Sequence, residues 1–140
     1  MAVYECCQMN VVSAPPNATV MDVVQLMDKK NVGCVVITEK KKPVGIITDR
    51  DVVLRVVAKE YDPRTITVNE VMTGNPMVLS GDMGLFDALR SIRGKTFRRI
   101  PVIDAKGRLK GIITLDDLMR LLVKELSCVS TVLEGQAPTF

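Results

Sequence analysis

Apolar side chains recur along this chain at two spacings. Val20, Val23, Val24 and Met27 stand at i, i+3, i+4 and i+7, and Leu85, Ala88, Leu89 and Ile92 repeat that arrangement. One face of a 3.6-residue helix has this spacing, so two amphipathic helices are predicted. Each is followed by two short apolar runs around a polar turn. In the first case these are Cys34 to Ile37 and Val44 to Ile47 around Glu39-Lys40-Lys41-Lys42-Pro43; in the second, Ile100 to Ile103 and Leu109 to Ile113 around Asp104-Ala105-Lys106-Gly107-Arg108. Runs of this length bounded by turn residues predict hairpins with exposed tips. Beyond each hairpin a second helix is expected, carried by Val52, Val53, Val56 and Val57 and then by Leu118, Leu121 and Leu122. Short extended pieces, Val11-Val12 and Met77 to Leu79, lead into the first helices.

The two series are copies of one unit. Gly45-Ile-Ile-Thr48-Asp-Arg-Asp51 recurs as Gly111-Ile-Ile-Thr114-Leu-Asp-Asp117 at an offset of 66 residues, whereas the preceding helices match at 65. One residue has therefore been gained between helix and strand in the second copy. The repeat spans roughly residues 11–58 and 72–124, which divides the chain into a first unit (1–70, core 11–58), a second unit (71–126) and a tail (127–140).

At 140 residues and 47% apolar, the chain can close a core, and its 19 basic against 16 acidic residues leave a net charge of only +3. That is too little for an electrostatic footprint on nucleic acid or anionic lipid. The lysines at 40–42 read as a solvated hairpin tip, with no aromatic residue beside them to stack a base. No apolar run approaches the ~18–20 residues of a membrane span, and no secretory signal is present, so a soluble cytoplasmic protein is expected. There is no histidine, and Cys6, Cys7, Cys34 and Cys128 have no CxxC spacing, which argues against a zinc site or redox pair. The thiols are expected to be reduced; a Cys6–Cys128 bridge would fit only a hyperthermophilic source.

Thr48 and Thr114 each fall where a strand gives way to a helix, with Asp51 and Asp117 three residues on. Thr-x-x-Asp is a capping-box spacing, and capping alone accounts for it. The same corner also suits a ligand. Unpaired N–H groups at a helix start favour an anion, and a carboxylate one turn in can accept both hydroxyls of a ribose.

Both motifs, with Ile100-Pro101-Val102-Ile103-Asp104 and the lead-in Val71 to Pro76, resemble the CBS domain, named after cystathionine β-synthase. The resemblance covers the chain apart from the first ten residues and the tail after about Leu126. It implies an α/β fold of tandem β-α-β-β-α repeats paired about a pseudo-twofold axis, with clefts for adenosine ligands such as AMP, ADP, ATP or S-adenosylmethionine. By that analogy Thr48 and Asp51 hold ribose and phosphate in one cleft, Thr114 and Asp117 in the other. Val12, Met77 and Pro101 flank the adenine.

Arg98 and Arg99 stand where nucleotide-binding members carry phosphate-facing cations, and Arg50 lies inside the first motif. The second motif has Asp116 at that place. One strong site is therefore expected, at Thr48 and Asp51, with AMP its foremost ligand. No cofactor is implied and no acid–base constellation is visible, so a non-catalytic sensor is expected rather than an enzyme. Its apolar second helices favour a homodimer, and the signal would pass to a separate effector protein. The alternatives are an interaction protein with empty clefts, or a nucleic-acid-binding member of the family.

Overall fold

A computed structural model describes residues 1–96 and 98–136. Strands β1 (Ser13–Ala14), β2 (Cys34–Glu39), β3 (Lys42–Thr48) and β4 (Thr73–Gly74) form one sheet in that order. A second sheet is formed by β5 (Leu79–Ser80), β6 (Arg99–Ile103) and β7 (Leu109–Thr114). In each, the short lead-in strand runs parallel to the hairpin's first strand and the hairpin is antiparallel.

Helix α1 (Val20–Lys30) crosses the first sheet and buries Val20, Val23 and Met27. Thr19 caps it reciprocally with Asp22, and Asn31, in the left-handed region at φ 52°, ends it. Helix α3 (Leu85–Ile92) is its counterpart but three residues shorter. Where α1 continues, the second copy turns through Gly94 at φ +75°, a conformation glycine adopts without steric cost. The residue gained in the second repeat is absorbed in this segment. The second helices are α2 (Asp49–Val52), which passes into a π-helical turn at Val53–Val57, and α4 (Leu115–Gly135).

Helix α4 runs on into the C-terminal tail. Residues 127–135 continue the helix, because the apolar spacing runs on through Leu126, Val129 and Leu133 with no glycine or proline before Gly135. Residues 137–140 lie outside the described residues.

One difference concerns the first ten residues. Val3–Glu5 is a 3-10 turn, and Val3 is fully buried in the core of the second repeat with Leu79, Ala88, Ile100, Val102, Ile113 and Leu118. Val68–Glu70 is its counterpart, placing Val68 and Val71 in the core of the first repeat. The hydrogen bonds match pair by pair. Val3 N donates to Met83 O (2.9 Å) as Val68 N does to Ala18 O (2.8 Å), and Leu85 N donates to Met1 O (2.9 Å) as Val20 N does to Ile66 O (3.0 Å). Each repeat is thus completed by the segment preceding the other. The duplication reaches back to residue 3, so the division at residue 70 follows the chain but not the cores. Two glycines fit these crossings. A methyl group at Gly45 would collide with Met72, and one at Gly111 would come within 2.8 Å of Cys7 Sγ and 2.9 Å of Gln8 O.

Candidate nucleotide cleft

Thr48 ends β3 in extended geometry and caps α2. Its Oγ1 accepts from Asp51 N (3.2 Å), and Asp51 Oδ2 accepts from Thr48 N (2.9 Å). Thr114 and Asp117 repeat this box at 3.0 and 3.2 Å. Capping is therefore present at both corners. It uses only part of each group: the Thr48 hydroxyl still has its proton to donate, and Asp51 Oδ1 is free of the cap. Oδ1 lies 3.5 Å from Arg55 Nη2, and Arg55 Nη1 also donates to Val71 O (2.9 Å) and Thr73 Oγ1 (3.0 Å). Arg55 thereby ties α2 to the lead-in of the second repeat and orients the carboxylate.

Thr48 and Asp51 open onto a cavity of about 220 Å³ whose opposite wall is made by Met77, Thr96, Arg98 and Arg99 of the second repeat. Ile46, Thr73 and Pro76 complete the lining. An apolar slot, a carboxylate, a free hydroxyl donor and two guanidinium groups converge here.

The related cavity, about 180 Å³, is lined by Val11, Val12, Ile112 and Thr114, and on the far side by Val32, Gly33 and Cys34. Val32 and Gly33 occupy the positions of Arg98 and Arg99. Gln8, the counterpart of Thr73, donates its amide to both oxygens of Asp117 (3.4 and 3.3 Å), engaging the carboxylate from within. Arg99 reaches both cavities, and with Arg98 it lines a third hollow of about 270 Å³ beside Thr114 and Asp116. The Cys34 thiol is pushed up to about 11 by burial, opposed by the nearby Arg99. It stays protonated at neutral pH and is a poor nucleophile.

Of the residues expected at a site, the structure brings Thr48, Asp51, Met77, Arg98 and Arg99 to one cavity and Val12 and Thr114 to the other, where Gln8 holds Asp117. Three line neither cavity, Asp117 beside the Gln8 amide being the first. Arg50 is exposed and does not line the first cavity; successive helical positions differ by about 100°, so when Asp51 faces back to the cap its neighbour turns to solvent. Pro101 is buried within β6 opposite Ile112 and lines neither cavity. Ile46, Arg55, Thr73, Thr96 and Gln8 join the site without having been expected from the sequence. Only Arg55 carried a local signal, an acid-to-base pair at i, i+4 from Asp51.

Among the described residues, no group of three or more His, Cys, Asp or Glu is placed to hold a metal, the four cysteines are free, and no helix is long and apolar enough to cross a membrane.

Comparison with known proteins identifies the family of this fold. The chain is 31% identical over 122 residues to the uncharacterized protein MK0525 of Methanopyrus kandleri, covering 86% of this chain and 62% of that protein's length. It is 34% identical over 112 residues to the CBS domain-containing protein YhcV of Bacillus subtilis, covering 77% and 76%. Among solved structures, the CBS domain protein PAE2072 from Pyrobaculum aerophilum complexed with AMP superposes with a TM-score of 0.77 at 26% identity, over 91% of this chain and 99% of that one. The CBS-domain family is matched twice, at residues 3–58 and 68–124. The first match begins at the buried Val3 and the second at its counterpart Val68, so the chain belongs to the CBS-domain family as a tandem pair of repeats.

Proposed function

We propose that this protein is a non-catalytic sensor of an adenine nucleotide, AMP foremost, with ADP and ATP as further ligands, bound in the Thr48/Asp51 cleft. The observation that carries the reading is the convergence of Thr48 and Asp51 from one repeat with Arg98 and Arg99 from the other. Adenine would lie against Ile46 and Met77, the ribose hydroxyls would donate to Asp51, and the phosphate would accept from Thr48 Oγ1 and the two arginines. The AMP complex of the Pyrobaculum relative supports this ligand class.

Because both repeats line the cleft, occupancy is coupled to how they sit together, and that coupling is what a sensor requires. The readout belongs to the helices. Val53, Leu54 and Val57 beyond α2 and Met119, Leu122, Leu126, Val129 and Leu133 on α4 are exposed. The α4 residues are spaced by three and four, as in a helix-pairing seam. We assign this face to a homodimer that presents the sensor to a separate effector protein.

Titration calorimetry with AMP tests the site. Asp51→Ala should weaken binding about 10- to 100-fold, the loss of a charged acceptor for two hydroxyls. Asp117→Ala should change it little. Equal effects of the two substitutions, or no binding of any adenine nucleotide by the wild type, would overturn the assignment.

A further inference from the structure

The two hairpin tips lie 66 residues apart in sequence but meet in space, where Leu109 N donates to Lys41 O at 2.8 Å. Between them is a cavity of about 240 Å³ that shares no lining residue with the Thr48/Asp51 cleft and only Val11 with the Thr114 cleft. Lys41, Arg108 and Lys110 line it together with the hydroxyl-bearing Ser13 and Thr38. Among the described residues, neither Lys41 nor Lys110 lies within 4.0 Å of a carboxylate. Arg108 commits its Nε to Asp104 (2.8 Å), leaving both Nη groups. Asp104 does not face the cavity: its oxygens also accept from Lys106 N and Arg108 N (both 2.9 Å), fixing the turn.

Two further features mark this cavity. The first hairpin turns on Lys40 and Lys41 alone, both with positive φ (51° and 66°). Such a turn is ordinarily filled by Asn-Gly, because side chains other than those of Asn and Asp are strained there. Two lysines are held in that conformation at the mouth of the cavity, and strain retained in this way points to use. The cation triad also breaks the pseudo-symmetry. The counterparts of Lys41, Arg108 and Lys110 are Gly107, Lys42 and Val44, so the duplication did not supply it.

We propose that this inter-hairpin cavity is an anion site for a small molecule carrying two or more linked phosphate groups. Three cations and two hydroxyls in a concave space match a diphosphate, and no aromatic side chain in the lining could stack a nucleic-acid base. The site is independent of the nucleotide reading above.

The test is calorimetry with inorganic pyrophosphate on the full chain at about 150 mM salt, where loose surface attraction is largely screened. Lys110→Gln and Lys41→Gly should each weaken binding at least tenfold, while Lys59→Gln, at an exposed lysine outside the cavity, should leave it unchanged. Lys41→Gly keeps the backbone acceptor for Leu109 and relieves the turn, so its melting temperature should equal or exceed that of the wild type while binding falls. A lysine with only a structural role would not separate the two readouts. Absence of pyrophosphate binding, equal loss in Lys59→Gln, a greater loss in Arg98→Gln/Arg99→Gln than in Lys110→Gln, or tighter binding of a DNA duplex than of pyrophosphate would each overturn the proposal.

Discussion

Val3 offers a direct test of the crossed construction, because it is fully buried in a core whose other members begin 76 residues later at Leu79. Truncation to alanine removes two methyl groups from that core. The transfer term is about 1.6 kcal/mol and the cavity left behind adds about 1 kcal/mol, so Val3→Ala should destabilise by about 2–3 kcal/mol. The backbone bonds to Met83 and Gly81 are kept, which confines the perturbation to packing. Urea melts followed by far-UV circular dichroism give the free energy, and Val68→Ala, its counterpart in the other core, should cost a similar amount. If residues 1–9 were instead a dispensable leader, Val3→Ala would fall within about ±0.5 kcal/mol of wild type, as surface substitutions do. That result, with Val68→Ala still costly, would refute the crossing. The consequence extends to function, since the same segment delivers Gln8 to Asp117 and Cys7 to Gly111.

Gln8→Thr, which installs the residue found at the equivalent Thr73, should free Asp117 and raise AMP stoichiometry from one toward two per chain by calorimetry; a stoichiometry that stays at one would show that Gln8 is not what closes the second cleft. At pH 8, alkylation followed by mass spectrometry should label the exposed Cys128 well before Cys34. The Cys34 thiol, raised from 9.0 to about 11, holds its proton more tightly folded than unfolded. Its contribution to stability is therefore complete below pH 9, and is lost as pH rises through about 11. Cys34→Ser should flatten the urea midpoint over that window, and an unchanged slope would show that the thiol is not the group responsible. Leu126→Glu, at a side chain 67% exposed in the single chain, should convert a dimer to a 15.4 kDa monomer in sedimentation; a wild type already monomeric at micromolar concentration would remove the seam from the account.

Much of this protein is written locally. The apolar spacing of Val20 to Met27 and Leu85 to Ile92 specified helices with one buried face, and the runs flanking Lys40–Lys42 and Asp104–Arg108 specified hairpins, because side-chain period and turn chemistry act within a few residues. The two Thr-x-x-Asp corners were legible for the same reason: a cap and its helix are neighbours in sequence.

What remained hidden depends on pairs far apart in the chain. That Val3 completes the second core and that Lys41 meets Lys110 are consequences of how the repeats dock, and no local pattern encodes them, whereas Arg98 and Arg99 opposite Asp51 were expected, through the family resemblance and not through any local pattern. A faint trace existed for the first, in the shared Val-x-Glu of Val3–Glu5 and Val68–Glu70, but three residues carry little information without the contact that gives them meaning. The duplication set two corners that already differ locally, at Arg50 and Asp116; tertiary structure widened the difference. It placed two arginines across from one and a glutamine amide on the other, because charge and hydrogen bonding act through space and not along the chain.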